Sequence, residues 1–513
     1  MSTLTINQHP GYETLPAGQE IIFVIGVGGL AETEQLKVVA DIYIADSLWA
    51  FATTAQRFKA NINAQNVAIF DFGEIVEQEL TPTYSGFDNN LNFPLAESKF
   101  KNVTFNDTSN YHTIHQIDKY AQATNGIKYF KVHFGAEYKG ANSSLPNQVS
   151  RDNSLQTLVS KTYLAYNGVL YDTDKMRYVY ESPLVYSNYG YDLVYNNYIM
   201  QTGSGCAGSG GFLTDAPTTQ YARINDYGTL PFLQGLTTQF YGFNQPDDPD
   251  GTTNPHIEYF EIKYYNSAGA QVGATVQVDN TQANGGYSGV NTDVPWAQLQ
   301  SPLAQTKLIY AGLFPGNLRN WEPVFIVNLN SIDHYTIQGY STNTNVDCKL
   351  MGQMYTIRIL CEELMGYSPI RLTWLNKHGT WDYYTFMKKS VRSISTKRKP
   401  YTQLRGTWNE KNYSVNTRKG GKKNFNVNTR EAIKMNSDYM SEEESVWLEQ
   451  LMNSTEVFIL NGWTTSTAGN INKYVEPVTV KTSSYKRKTR GNDKLIQYTF
   501  EVERANIRRT QRV

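Results

Sequence analysis

Cysteine is nearly absent: Cys206, Cys348 and Cys361 are the only three in 513 residues. They are too few and too scattered for a disulfide framework or a zinc site, so no metal or cofactor is expected. The scarcity fits assembly in a reducing cytoplasm. Long hydrophobic runs are missing too. No stretch approaches the ~20 apolar residues of a spanning helix, so no membrane insertion is expected. The opening residues, MSTLTINQHPGYETLP, lack a basic segment followed by an apolar one, and no signal peptide is expected. Charged residues amount to only 18% and the net charge is −1.

Aromatics, by contrast, reach 13%, with 37 tyrosines and 38 glycines. Aromatic enrichment with frequent turns predicts a mainly β chain. The length accommodates roughly three domains. The expected division is a β domain at 1–125, a central β domain at 126–305 and a C-terminal β domain at 306–513. These are read as antiparallel, sandwich-like domains with long loop insertions and two short capped helices.

The central stretch is Gly366 to Ser390, GYSPIRLTWLNKHGTWDYYTFMKKS. Ile370, Leu372 and Trp374 alternate with Arg371, Thr373 and Leu375, which is strand periodicity. Asn376 to Gly379 makes a short turn, and Trp381, Tyr383 and Thr385 continue the alternation. Two tryptophans flanking one tight turn fix the register of a β-hairpin. Trp374, Trp381 and Tyr383 are therefore candidate core residues.

Elsewhere EIIFVIGV (20–27), KVVADIYI (37–44) and GIKYFKVHFGAEY (126–138) read as strands. Asp71 and Glu74 form a capping-box pattern that predicts a helix over 72–80. Asn167-Gly168 signals a two-residue hairpin turn. HIEYFEIKYYNSAGAQVGATVQV reads as a hairpin closing through Asn266 to Gly269, and KLIYAGLFPGNL, DHYTIQGYS and MYTIRILCEEL as three further strands. Polar insertions are expected at 81–125 and 279–305, and a tyrosine- and glycine-rich one at 180–211. Ser441 with Glu444 predicts a helix over 442–452, with Trp447 and Leu451 on its apolar face. In LIQYTFEVE, Ile496, Tyr498, Phe500 and Val502 are expected to point inward.

No catalytic motif emerges. SGCAGSGG lacks the Gly-Lys-Ser/Thr ending of a phosphate loop, and GVGGL lacks GxGxxG spacing. His112 and His115 have no third metal ligand in view. DDPDG has the composition of a calcium loop without its spacing. Cys206 has no recognisable histidine partner.

Charge is divided unevenly along the chain. Residues 1–387 hold 21 Lys/Arg against 35 Asp/Glu, a balance of −14, and residues 388–513 hold 25 against 12, or +13. Such a division favours complementary contacts between copies. Lys419, Lys422 and Lys423 in the basic stretch 388–434 are candidate interface residues, as are Tyr186, Tyr189 and Tyr191. The same basic stretch, with Tyr401, Trp408, Tyr413 and Phe425, also suits nucleic acid. Plain protection of β edges is a third reading.

The blocks VVADIYIAD, FKANINAQNVAIFDFGEIVEQEL, YFKVHFGAEY, YNGVLYD, FLTDAP, RINDYGTLPFL, IRLTWLNKHGTWDYYTF, PVTVKTSSYKRKT and LIQYTFEVE resemble virion proteins of tailed phages. Those phages are crAss-like and related ones that infect Bacteroidota. The resemblance implies a structural protein of the tail, baseplate or neck, assembled in the host cytoplasm into a symmetric ring that connects neighbouring tail proteins. It carries over no catalytic residues, so no enzyme is expected. Two other functions stand beside this one. One is a tail protein that binds a host receptor or glycan. The other is a polysaccharide-degrading enzyme, which would need paired carboxylates in a groove.

Overall fold

A computed structural model describes the chain except 1–2, 11–13, 29–35, 49, 52–54, 81–125, 140–148, 152–157, 170–197, 199, 203–207, 234–256, 258, 280–303, 305–306, 341–349, 361–366, 409, 462–474, 490–495 and 510–513. The fold is mainly β, with antiparallel and mixed sheets and four short helices among the described residues. Two compact units form. The first comprises Met1–Leu360 and Asn376–Asp382, and the second Cys361–Leu375 and Tyr383–Val513.

The first unit contains a sheet-on-sheet core. Strand Ile22–Gly28 lies between Thr3–Gln8 and Val67–Asp71. A seven-stranded sheet runs Thr14–Gly18, Tyr163–Val169, Ile127–Lys139, Lys37–Ala45, Gln56–Asn61, with two short strands also on Ile127–Lys139. Period-two alternation sends Phe23 and Ile25 from one sheet against Val38, Ala40, Ile42, Phe130 and Phe134 from the other, all fully buried. Lys37–Ala45 pairs along its whole length with Ile127–Lys139, so one sheet takes strands from both sides of residue 125.

Helix Gly73–Glu79 adds Val76 to this core, flanked by Phe72 and Leu80. The expected capping box does not form, because the N-cap is Phe72. The Asp71 carboxylate instead accepts from the N–H groups of both Gly73 and Ile21, at 2.9 Å each. The Asn167-Gly168 turn is also absent, and Tyr163–Val169 is one strand. Tyr163–Tyr166 pairs antiparallel with Ile127–Lys139, and the parallel pairing with Thr14–Gly18 resumes at Val169 after a register shift that takes in Asn167 and Gly168.

A second core in this unit lies on a five-stranded sheet ordered Thr219–Ala222, Leu350–Ile359, His334–Tyr340, Tyr259–Tyr265, Val276–Asp279. The first pair is parallel, the rest antiparallel. Phe212, Phe232 and Phe260 pack there with ring centroids 5.2–6.2 Å apart. The strand expected over KLIYAGLFPGNL stops at Ala311, and helices Pro315–Trp321 and Pro323–Val327 follow. Each starts on a proline, whose fixed φ suits a first helical turn. Glu322 caps the second, accepting from Val324 N and Phe325 N, and its other contact is the Tyr264 hydroxyl at 2.9 Å.

The second unit is built on an eight-stranded sheet. Its order is Trp381–Phe386, Ile370–Leu375, Val457–Leu460, Val475–Val480, Thr499–Arg504, Gly421–Asn436, Ser390–Gln403, with Arg508–Arg509 also on Gly421–Asn436. Both faces of Ile370–Leu375 are buried, Arg371 and Thr373 included. Arg371 is accommodated by donating to Thr385 Oγ1 at 2.8 Å and lying over the Tyr383 ring. Helix Glu442–Asn453 forms with its capping box complete: Ser441 Oγ accepts from Glu444 N, and Glu444 returns the bond to Ser441 N. Trp447, Leu448 and Leu451 are buried beneath it, while Val446 is exposed. Ile496, Tyr498, Phe500 and Val502 all face inward.

Candidate functional site

The longest strands among the described residues, Ser390–Gln403 and Gly421–Asn436, form a two-stranded arm in the second unit. Ser390–Gln403 and Gly421–Asn436 pair antiparallel from Ser390↔Met435 to Gln403↔Gly421, with a bulge between Lys399 and Pro400. Among the described residues, Gly421–Asn436 meets further strands only from Asn428 onward. Residues 391–400 are exposed on both faces of their strand. Backbone pairing rather than burial therefore holds this segment extended. Residues 390–436 carry 12 Lys/Arg against Glu410 and Glu431.

The tip, described at residues 404–408 and 410–420, is a loop built around Thr407. Thr407 Oγ1 accepts from Ser414 N at 2.7 Å and donates to Asn412 O at 2.7 Å. Trp408 Nε1 donates to Arg405 O at 2.8 Å. Gly406 takes φ +85°, and a Cβ there would stand 2.5 Å from the Tyr413 ring. Around this frame the loop displays apolar side chains to solvent: Leu404 is 70% exposed, Trp408 67%, Val415 58% and Tyr413 57%. The Trp408 and Tyr413 rings meet edge to face, centroids 5.4 Å apart.

Ion pairs tie the root of the arm to the rest of its sheet. Buried Glu431 meets Arg508 at 3.0 Å and Arg504 at 3.6 Å, and Arg504 reaches Glu476 at 2.8 Å. Glu503 binds Lys481 at 2.7 Å and Arg430 at 3.1 Å. The Lys481 hydrogen bond, helped by both cations, holds the Glu503 carboxyl below its ordinary range.

A separate polar cluster lies in the first unit, around the turn Asn376–Thr380. Asn376 Oδ1 accepts from His378 N, Thr380 N and Thr380 Oγ1, closing the turn. Asp382 Oδ1 accepts from Thr214 Oγ1 at 2.6 Å and from Asn376 Nδ2 at 3.1 Å. Asp215 lies 2.6 Å from Lys377 Nζ and 3.3 Å from His378 Nε2, and accepts from the Tyr198 hydroxyl at 2.6 Å. Burial disfavours the Asp215 anion, but the His378 hydrogen bond and the charges of His378 and Lys377 outweigh it. The carboxyl is held far below its ordinary range. These bonds join the turn to Thr214 and Asp215, and through Asp215 to Tyr198.

Of the residues singled out from sequence, Trp374, Trp381, Tyr383, Trp447 and Leu451 are buried. Trp374 and Trp447 face each other with centroids 5.3 Å apart. Lys422 is exposed, and Lys419 and Lys423 are half-buried, Lys423 Nζ donating to Arg418 O at 2.8 Å. All three stand at the arm's distal end. Tyr186, Tyr189, Tyr191, His112, His115, Cys206 and DDPDG lie outside the described residues. No group of His, Cys, Asp and Glu suited to a metal ion occurs among the described residues. No helix of the described residues is long and apolar enough to cross a membrane. Sequence reasoning missed the strand character of 390–403 and 421–436. The signal was there in a weak form, as Val391, Ile394, Tyr401, Phe425 and Val427 spaced through polar residues with no consistent face.

The chain matches no family model and no curated protein.

Proposed function

We propose that this chain is a non-enzymatic structural protein of a tailed-phage virion, a tail, baseplate or neck component that assembles into a symmetric ring and connects neighbouring tail proteins. The observation that carries the reading is the arm. A basic, paired ribbon whose residues 391–400 are exposed on both faces, ending in a framed cluster of apolar side chains, suits contact with another macromolecule. The sheets behind it supply rigid scaffolding. The block resemblance to virion proteins supplies the particle.

Negative-stain microscopy of the purified protein, together with sedimentation at low and high salt, tests this. The expected result is closed rings that loosen at high ionic strength, since exposed charges are screened beyond ~10 Å at 0.1 M salt. Changing Lys419, Lys422 and Lys423 together to Glu is expected to weaken assembly as well. A protein that stays monomeric at every concentration and salt overturns the reading. A slender trimer points instead to a receptor- or glycan-binding fibre.

A further inference from the structure

Building on the reading of the chain as a self-assembling subunit, we propose that the Ser390–Gln403/Gly421–Asn436 arm is the docking element, and that what receives it is a non-equivalent surface of a second copy of the chain. Three observations converge on this occupant. The first is charge. Residues 390–436 carry a balance of +10 in a chain whose net charge is −1, so the remaining residues carry −11. A second copy therefore offers the complement of the arm without any other partner. Glu74 and Glu77, both exposed on a helix that has no basic residue, show the kind of surface available.

The second observation is an edge that no further strand pairs among the described residues. Ser390–Gln403 is the last strand in its sheet order, and its exposed segment carries Arg392, Lys397, Arg398, Lys399 and Pro400. Two such edges laid side by side would oppose like charges, and Pro400 has no N–H to offer a ladder. Symmetric arm-to-arm pairing is therefore disfavoured. An arm that meets a different patch on its neighbour makes a head-to-tail contact, and repetition of that contact closes a ring.

The third observation is the tip. Leu404 and Val415 accompany Trp408 and Tyr413 in solvent, on a loop fixed by the Thr407 hydrogen bonds. Aliphatic side chains beside the aromatic pair suit a protein pocket, where a few buried anchors dominate affinity. A nucleic-acid strand would use the rings and the cations and leave the aliphatic groups wet.

The test uses the full chain. Light and 15N-labelled copies, each with the photocrosslinker p-benzoylphenylalanine in place of Trp408, are mixed, assembled, irradiated and digested. A second variant, Lys397→Glu with Arg398→Glu and Lys399→Glu, changes three exposed side chains and is checked for wild-type fold by circular dichroism. The expected results are cross-linked peptides joining light and heavy chains through position 408, and an association at least tenfold weaker for the charge variant. Failure of either result while rings still form overturns the docking role and leaves the ring reading standing. Absence of rings in the unaltered protein overturns both. Cross-linking of position 408 to added duplex DNA, without light–heavy pairs, overturns the inference in favour of a nucleic-acid arm.

Discussion

Lys377 Nζ stands 2.6 Å from Asp215 Oδ2, and the lysine side chain is only 5% exposed. A cation taken that far out of water needs its counter-charge, and removing one partner of a buried pair is costly. Asp215→Asn keeps the shape and removes the charge. It is expected to destabilise the protein by about 3–5 kcal/mol, read as a lower denaturation midpoint.

The same carboxylate sets an acid limb. Its pKa is depressed in the folded chain, so its contribution is fully present above the ordinary carboxylate value, about 3.9, and is lost as pH falls from there toward the folded value. Thermal unfolding of the wild-type chain is expected to lose stability over that acid range. The Asp215→Asn variant is expected to lose less. Parallel acid limbs for the two proteins would show that Asp215 does not titrate as described.

Gly379 takes φ +70°, and a Cβ on it would lie 1.7 Å from Asn167 O. The backbone conformation alone costs a non-glycine residue about 1–2 kcal/mol. The contact with a backbone oxygen adds to that, because nothing flexible can move aside. Gly379→Ala is expected to cost more than about 2 kcal/mol, measured by chemical denaturation.

Trp374 is fully buried and Trp381 is 1% exposed. Replacing either with Ala removes a large ring from a packed interior, and each is expected to destabilise by roughly 3–5 kcal/mol. A variant that keeps its midpoint while losing affinity for a sugar or partner would show the ring to be part of a binding surface.

Ser441→Ala removes one of the two bonds of the capping box at Glu442–Asn453. The expected cost is about 0.5–2 kcal/mol, together with faster amide exchange in the first turn. Unchanged exchange there would place the start of the helix elsewhere.

The features that were legible in sequence share a local cause. The hairpin at Ile370–Phe386 announces itself through period-two alternation around a short turn. Helix Glu442–Asn453 does so through a cap three residues from its glutamate, and Ile496 to Val502 through strict inside–outside order. What stayed hidden depends on distant partners. Nothing near Asp215 points to Lys377 or His378. Asn167-Gly168 has the composition of a tight turn, yet it falls as an irregularity between the paired residues Tyr166 and Val169 of one strand. The strand Ser390–Gln403 was hidden for the opposite reason: residues 391–400 are wet on both faces and need no apolar stripe, so periodicity has nothing to register. Helices Pro315–Trp321 and Pro323–Val327 are too short to establish a helical period.

Residues 376–382 belong with the first unit although they follow the start of the second. During synthesis, the first 360 residues therefore leave the ribosome with Asp215 present but Lys377 and His378 still to come. The first unit is completed only after the strand Ile370–Leu375 has also emerged. A chain cut at residue 360 would keep the acid and lose both cations, so the natural place to divide this gene for expression is not the point where the contiguous part of its first unit ends.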